Sequence, residues 1–308
     1  MQYLSWEISI IAFLPALFLC GFVYYKDRVE REPIGLLALL FLAGGIAYLP
    51  GILAEKGIAA GLDLLFGNAV SFSADGMIRY SSGGIRILHQ LLQAFLGIAA
   101  VEVALKWCVL YFITRNNRNF NYLFDGIVYS VFVSLGYAAA ENVWYAWTSG
   151  WDTLVMRSLS SRPCHLFVGI FMGYYYTMWH VYRHAEQQEE ALLQRGLLQK
   201  KKIGQSRIRL TGSLVIPFLV AGICIFAGSV DARALRTIFY FVVFSLYGMS
   251  FLGVDHIATR DMESGKCSVQ ILKEKHPEAD RTVWEQMDAG EKTGTDAEDD
   301  LSAKGEEE

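Results

Sequence analysis

The chain has 308 residues, of which 53% are hydrophobic and only 19% charged, with a formal net charge of −4. A mean hydropathy of +0.30 argues against a soluble globular domain, and no nucleic-acid partner is expected. The lipid bilayer is the partner that this composition calls for.

Crossing a bilayer takes about 20 apolar residues. Seven stretches approach or exceed that length: Ile8–Tyr25, Ile34–Ala54, Ile87–Ile113, Gly126–Trp147, Pro163–Tyr182, Leu210–Val230 and Thr237–Val254. The expected fold is therefore all-α, a polytopic membrane bundle of about seven transmembrane helices. Pro50 breaks the second stretch, the last is short, and the fifth can be extended back to Thr153 with Pro163 as a kink. The first stretch has no basic n-region and no A-x-A site after it, so no cleaved signal peptide is expected.

Lys26, Arg28 and Arg31 follow the first stretch, and Arg115 and Arg118 follow the third. The 183–209 connection adds Arg183, Arg195, Lys200, Lys201, Lys202, Arg207 and Arg209. Basic residues mark cytoplasmic loops, which predicts an N-out, C-in topology. Residues 56–86 read as a mostly polar outer loop in which "IAAGLDLLF" lies on the membrane surface. "RHAEQQEEALLQRGLLQKKK" reads as a charged connector helix. Residues 1–255 form the membrane domain and 256–308 a cytoplasmic acidic tail, disordered from about Gly290 because it is charged and lacks aromatics.

The five cysteines form no CxxC pair for zinc or redox chemistry and read as packing residues. Cys164 and His165 are no dyad, since neighbouring helix positions point about 100° apart. His180 and His184, four apart, read as interfacial anchors, and His89 and His256 as helix-end residues.

Four ionisable residues stand inside the apolar stretches: Glu102 and Lys106 on the third, Glu141 on the fourth and His165 on the fifth. Such groups cost roughly 2.5–3.5 kcal/mol at depth, so they face the bundle interior and find partners. Glu102 and Lys106 are four apart on one helix face, and the ammonium holds the carboxylate ionised, as a general base must be. Gly126, Ser130 and Ser134 lead towards Glu141 and Asn142, while His165, Gly169 and Gly173 share a stripe; small residues let helices approach closely in lipid. A set of helix clips explains each polar group singly. A shared centre explains them together.

"VEVALKW" resembles the EExxK motif of the PrsW family, bacterial intramembrane endopeptidases related to the CAAX prenyl proteases. "YYKDRVEREPIG" resembles that family's first-loop signature, "FDGIVYSVFVSLGYAAAENVWY" its DG…EN segment, and "MRSLSSRPCHLFVGIFMGYY" its R…H…G…G helix. The resemblance covers roughly residues 24–180. It implies a multi-pass protein of the bacterial cell membrane that cleaves single-pass membrane proteins such as anti-sigma factors. It further implies that Glu102 activates water, that His165 orients the water or protonates the leaving amine, and that Glu141 and Asn142 are the motif's EN pair, with Lys106 supporting. No HExxH is present, so neither a metal nor another cofactor is expected. The sequence departs from the family at Val103, where a second glutamate is usual, and at Ala221 and Ile225, where a His and an acidic or amide residue are usual. Two further readings stand beside proteolysis: a catalytically silent relative that binds a membrane partner without cutting it, and an unrelated seven-helix transporter or receptor.

Overall fold

A computed structural model describes residues 6–72, 78–149, 162–229, 233–279 and 282–284. All seven apolar stretches lie on helices. In chain order these are α1 (Trp6–Lys26), α2 (Ile34–Phe66), α3 (Gly83–Leu92), a π-helical segment (Gln93–Ala99), α4 (Ala100–Thr114), α5 (Asp125–Ser149), α6 (Arg162–Gln194), α7 (Ser206–Ser229), α8 (Arg233–Ala258) and α9 (Ser264–Lys275). Ile34–Ala69, Gly83–Thr114 and Ser206–Ser229 are long and apolar enough to cross a membrane. The architecture is an all-α membrane-helix bundle. The start of the fifth stretch at Thr153 and the tail from Gly290 lie outside the described residues.

The second stretch departs from expectation. α2 runs through Pro50 to Phe66 without a break, because the following residues are mostly good helix formers (Ala, Leu, Glu, Lys) that outweigh one lost hydrogen bond. "IAAGLDLLF" is therefore the end of a 33-residue helix and not a separate surface piece. Gly67, at a φ of +52°, ends the helix in a conformation that suits glycine. A short antiparallel hairpin follows, pairing Val70–Phe72 with Ile78–Tyr80. Ser82 then caps α3 by accepting from the Ile85 amide at 3.3 Å.

The central helix is α5, packed against α1, α2, α4 and α6. Residues 124–131 and 133–139 of the chain are buried, with only half-buried Phe132 between them, the pattern of a helix surrounded by its neighbours. Its small residues set the approach distances. Gly136 meets the backbone of Phe41 on α2, and Gly44 on α2 meets that of Val133. On the other side Gly173 lies against the backbone of Gly126, and Gly169 against Val131 and Ser134. The stripes read from the sequence are thus the α5–α6 contact.

The basic connections share one end of the bundle. Lys26 pairs with Asp255 at the end of α8, and the Phe124 amide donates to Asp261 at 2.9 Å. α6 continues as a helix through the charged connector to Gln194. There α9 packs on it: buried Glu189 accepts from the Lys202 and Ile203 amides and pairs with His276 at 2.6 Å.

Candidate functional site

α4 presents Glu102 and Lys106 one turn apart, and the ammonium donates to Glu102 Oε2 at 2.7 Å. The π-helical segment ends just before Glu102; such local unwinding is common at functional sites. α6 brings His165 from its first turn, held against α5 where Ser134 Oγ donates to the His165 carbonyl at 2.7 Å. α5 brings Glu141. Lys106 Nζ lies 2.9 Å from His165 Nδ1, and His165 Nε2 lies 3.1 Å from Glu141 Oε2. Glu102, Lys106, Glu141 and His165 are each less than a tenth exposed.

The bonding order fixes the imidazole. An ammonium can only donate, so Nδ1 accepts and the ring proton sits on Nε2, pointing at Glu141. The resulting chain is Glu102, Lys106, His165, Glu141, drawn from three helices. Glu102 and His165 stand 3.8 Å apart, a separation that one water could bridge. In this structure the bridging point is held by Lys106 Nζ instead.

The structure adds two residues that the sequence reading missed. Tyr137 places its ring 4.4 Å from Lys106 Nζ, a cation–π contact. Its hydroxyl donates to Glu55 Oε1 at 3.3 Å. Half-buried Glu55, on α2, is near enough to Glu102, Glu141 and Lys106 for their charges to act on it. Treating Pro50 as the end of α2 hid it: read through the proline, Glu55 is a carboxylate on an apolar helix, the same signal that Glu102 gives.

Asn142 is buried, and its Nδ2 has no hydrogen-bond partner among the described residues. Of the departures, Val103 is 1% exposed and faces the apolar core, away from Glu102. Ala221 is also in that core, with Ile225 packed against it. Neither offers a hydrogen bond. His180 stands apart from the site, buried and stacked on Phe120 with a 4.3 Å centroid separation, so it packs inside the bundle and is no interfacial anchor. His89 pairs with Asp63 at 3.0 Å.

Residues 32–199 match the family described as PrsW family intramembrane metalloprotease. The chain is similar to Protease PrsW of Oceanobacillus iheyensis, 31% identical over 52% of this chain and 64% of the relative. It is also similar to Protease PrsW of Geobacillus kaustophilus (30%, over 53% and 62%) and of Bacillus subtilis (27%, over 52% and 63%). The matches thus span less than two thirds of these relatives' own lengths. No solved structure matches the chain.

The family description implies a metal. Catalytic zinc takes three protein ligands, and the described residues contain no group of three or more His, Cys, Asp or Glu side chains that could hold an ion. Both ring nitrogens of His165 are engaged, and an ammonium occupies the point where Glu102 and His165 would share a cation. The donor set does not fit a metal. Its order along the chain, and a family match over more than half of the sequence, do fit one assignment: the chain belongs to the PrsW family of intramembrane proteases.

Proposed function

We propose that this chain is a multi-pass endopeptidase of the bacterial cell membrane. It cleaves a single-pass membrane protein of the anti-sigma-factor kind, towards the outer end of that protein's span. The observation that carries this reading is the buried run of Glu102, Lys106, His165 and Glu141 across three helices of an apolar bundle. Four ionisable groups converging where each is costly need a common purpose. Glu141 lies about 12 Å along the axis from the end of α5, and His165 about 5 Å from the start of α6, at 1.5 Å per residue. Both distances support a site towards the end opposite the basic connections, which is the outer face in an N-out, C-in topology.

In this mechanism Lys106 keeps Glu102 ionised by bonding to Oε2, and Oε1 receives the proton of a water. The hydroxide formed adds to the scissile carbonyl carbon. The unpartnered Nδ2 of Asn142 donates to the developing oxyanion, standing in for the donor lost at Ala221. As the C–N bond breaks, Glu102 passes the proton it took from water to the leaving amine, and His165, held between Lys106 and Glu141, helps to orient that water. Glu141 orients the ring. Glu55, at the half-exposed edge and joined to the site through Tyr137, connects it with outside water.

The silent reading has its own support in the apolar side chains at positions 103 and 221 and in the ammonium held between Glu102 and His165. Co-expression with candidate single-span proteins decides between the two. A fragment that vanishes in both Glu102→Ala and His165→Ala carries the proteolytic reading. Binding without any fragment from the unaltered chain carries the silent one, and a fragment that persists in both variants removes the site assignment.

A further inference from the structure

Glu55 is a carboxyl group without a counter-ion. Its Oε1 accepts from the Tyr137 hydroxyl at 3.3 Å, and no lysine, arginine or histidine among the described residues makes an ion pair with it. Lys106 lies over the face of the Tyr137 ring and gives its bonds to Glu102 and His165. Lys56, next in the chain, points about 100° away and holds its ammonium 5.3 Å from the Trp144 ring. The place of Glu55 is well fixed all the same. Gly51, one turn earlier, is so close to Tyr137 that a methyl there would run into the hydroxyl, which holds α2 where the carboxyl meets the ring. A half-buried, anchored carboxyl with one oxygen uncommitted among the described residues is a receptor for a cation.

Its depth says where that cation comes from. Counted from the cytoplasmic ends of their helices in the proposed topology, Glu55 is about 32 Å along α2 and Glu102 about 18 Å along α4, at 1.5 Å per residue. The hydrocarbon core is about 30 Å thick, so Glu55 falls at its outer boundary. The Lys56–Trp144 contact is of the kind that anchors helices at that level. Glu102 lies deeper. Tyr137 links the two, with its hydroxyl on Glu55 and its ring on Lys106. That path is roughly 10 Å, or about three residues of extended chain at ~3.3 Å each.

We propose that Glu55 is a specificity-determining residue that receives a lysine or arginine of the substrate, about two to four residues outside the bond that Glu102 attacks. The choice of substrate rests on the proteolytic reading. The arriving ammonium or guanidinium bonds to Oε2 while Oε1 stays on Tyr137, and the opposite charge holds the carboxyl ionised. Such a pairing discriminates, because basic residues gather on the cytoplasmic flank of a span and not on the outer one. A span with a lysine just outside it is recognised. One with an acidic residue there meets a like charge.

The test uses the full chain in nanodiscs and fluorescent single-span peptides of Leu and Ala, each with one Lys, Gln or Glu at one of the first four positions outside the span. The unaltered chain should bind the best Lys peptide about tenfold more tightly than its Gln counterpart, as a close charge pair gives. Glu55→Gln, which keeps the shape and the bond from Tyr137, should bring the two within about twofold of each other. Glu55→Lys should reverse the order, so that a Glu peptide binds best. Lys56→Gln should preserve the preference for Lys; its loss there would assign the effect to general surface charge and overturn the proposal. Equal affinities at all four positions, no binding of any peptide, or a preference that survives Glu55→Gln would overturn it too. Where the peptides are cleaved, KM should carry the difference between Lys and Gln; a difference in kcat alone would make Glu55 part of the proton path and not a recognition residue. A binding preference without cleavage of any peptide removes the proteolytic reading and leaves recognition at Glu55 in place.

Discussion

Lys106→Met is the most informative single change. The ammonium is 1% exposed, donates to Glu102 at 2.7 Å and to His165 at 2.9 Å, and sits over the Tyr137 ring. Methionine keeps most of the volume, so the change removes charge and leaves little cavity. What remains is a buried carboxylate that has lost its counter-ion, which costs about 3–5 kcal/mol. Glu102→Gln should cost less, because the ammonium keeps His165 and the ring as partners. The double variant Glu102→Gln, Lys106→Met should cost at least 2 kcal/mol less than the sum of the two, roughly the upper range of couplings between contacting residues. Reversible unfolding of the four proteins in mixed detergent and SDS measures the cycle. Activity should be lost in all three variants, either because no carboxylate remains or because one without its ammonium takes a proton and cannot accept another from water. An additive double variant, or a Lys106→Met cost below about 1 kcal/mol, would refute the claim that the pair acts as one unit.

Three further outcomes are expected. Asn142→Ala should lower kcat by about 10²–10³ with little loss of stability, because the buried Nδ2 that it removes has no hydrogen-bond partner among the described residues; comparing cleavage rate with unfolding midpoint separates the two effects. Gly173→Ala should destabilise by about 1–3 kcal/mol, since a methyl there runs into the Gly126 backbone, and detergent unfolding reads that directly. Asp125→Asn should change the pH dependence of stability. Burial and then the Glu32 charge push Asp125 from 3.8 up to about 9, and burial pushes Glu32 up to about 7. A raised carboxyl binds its proton more tightly when folded, so stability falls as pH rises from about 4 to about 9, by at most about 1.4 kcal/mol per pH unit per group. Asp27, Glu30 and Asp261 add like charge to this cluster, while Arg31 opposes it and Tyr129 donates to Glu32. With Asn in place of Asp125, the midpoint at pH 9 relative to pH 5 should improve; an unaltered pH profile would show that Asp125 is already ionised in the folded protein.

The bundle was legible because membrane helices announce themselves by composition, and the site because charge is rare within them. Glu102, Lys106, Glu141 and His165 stand out for the same energetic reason that forces them together. Gly126, Gly169 and Gly173 were legible as a close-packing face, since spacing by four puts small residues on one stripe. Tyr137 and Glu55 were not. A tyrosine in an apolar run looks like core, and its role arises only from a helix distant in sequence. Proline rules hid Glu55, because the helix formers that follow Pro50 outweigh the one hydrogen bond it removes.

The charge balance of the site bears on what it can be. Glu55, Glu102 and Glu141 bring three carboxyl groups, and Lys106 brings one fixed cation, with His165 neutral in the bonding order observed. A metal in a protease site supplies positive charge, lowers the barrier to deprotonating water and orients it. Here Lys106 supplies the charge at the point shared by Glu102 and His165. An ammonium can donate a hydrogen bond to water but has no empty orbital with which to coordinate it as a metal does. In the proposed mechanism deprotonation therefore falls to a carboxylate, and orientation to hydrogen bonds from the surrounding side chains. That division needs Glu102 to keep one oxygen for the ammonium and one for water, which a carboxylate does and a carboxamide cannot. Glu102→Gln should therefore be inactive whatever metal is added, whereas a centre relying on a bound ion would recover part of its rate with the right one. Rescue of Glu102→Gln by any divalent cation would show that Lys106 does not hold the place of a metal.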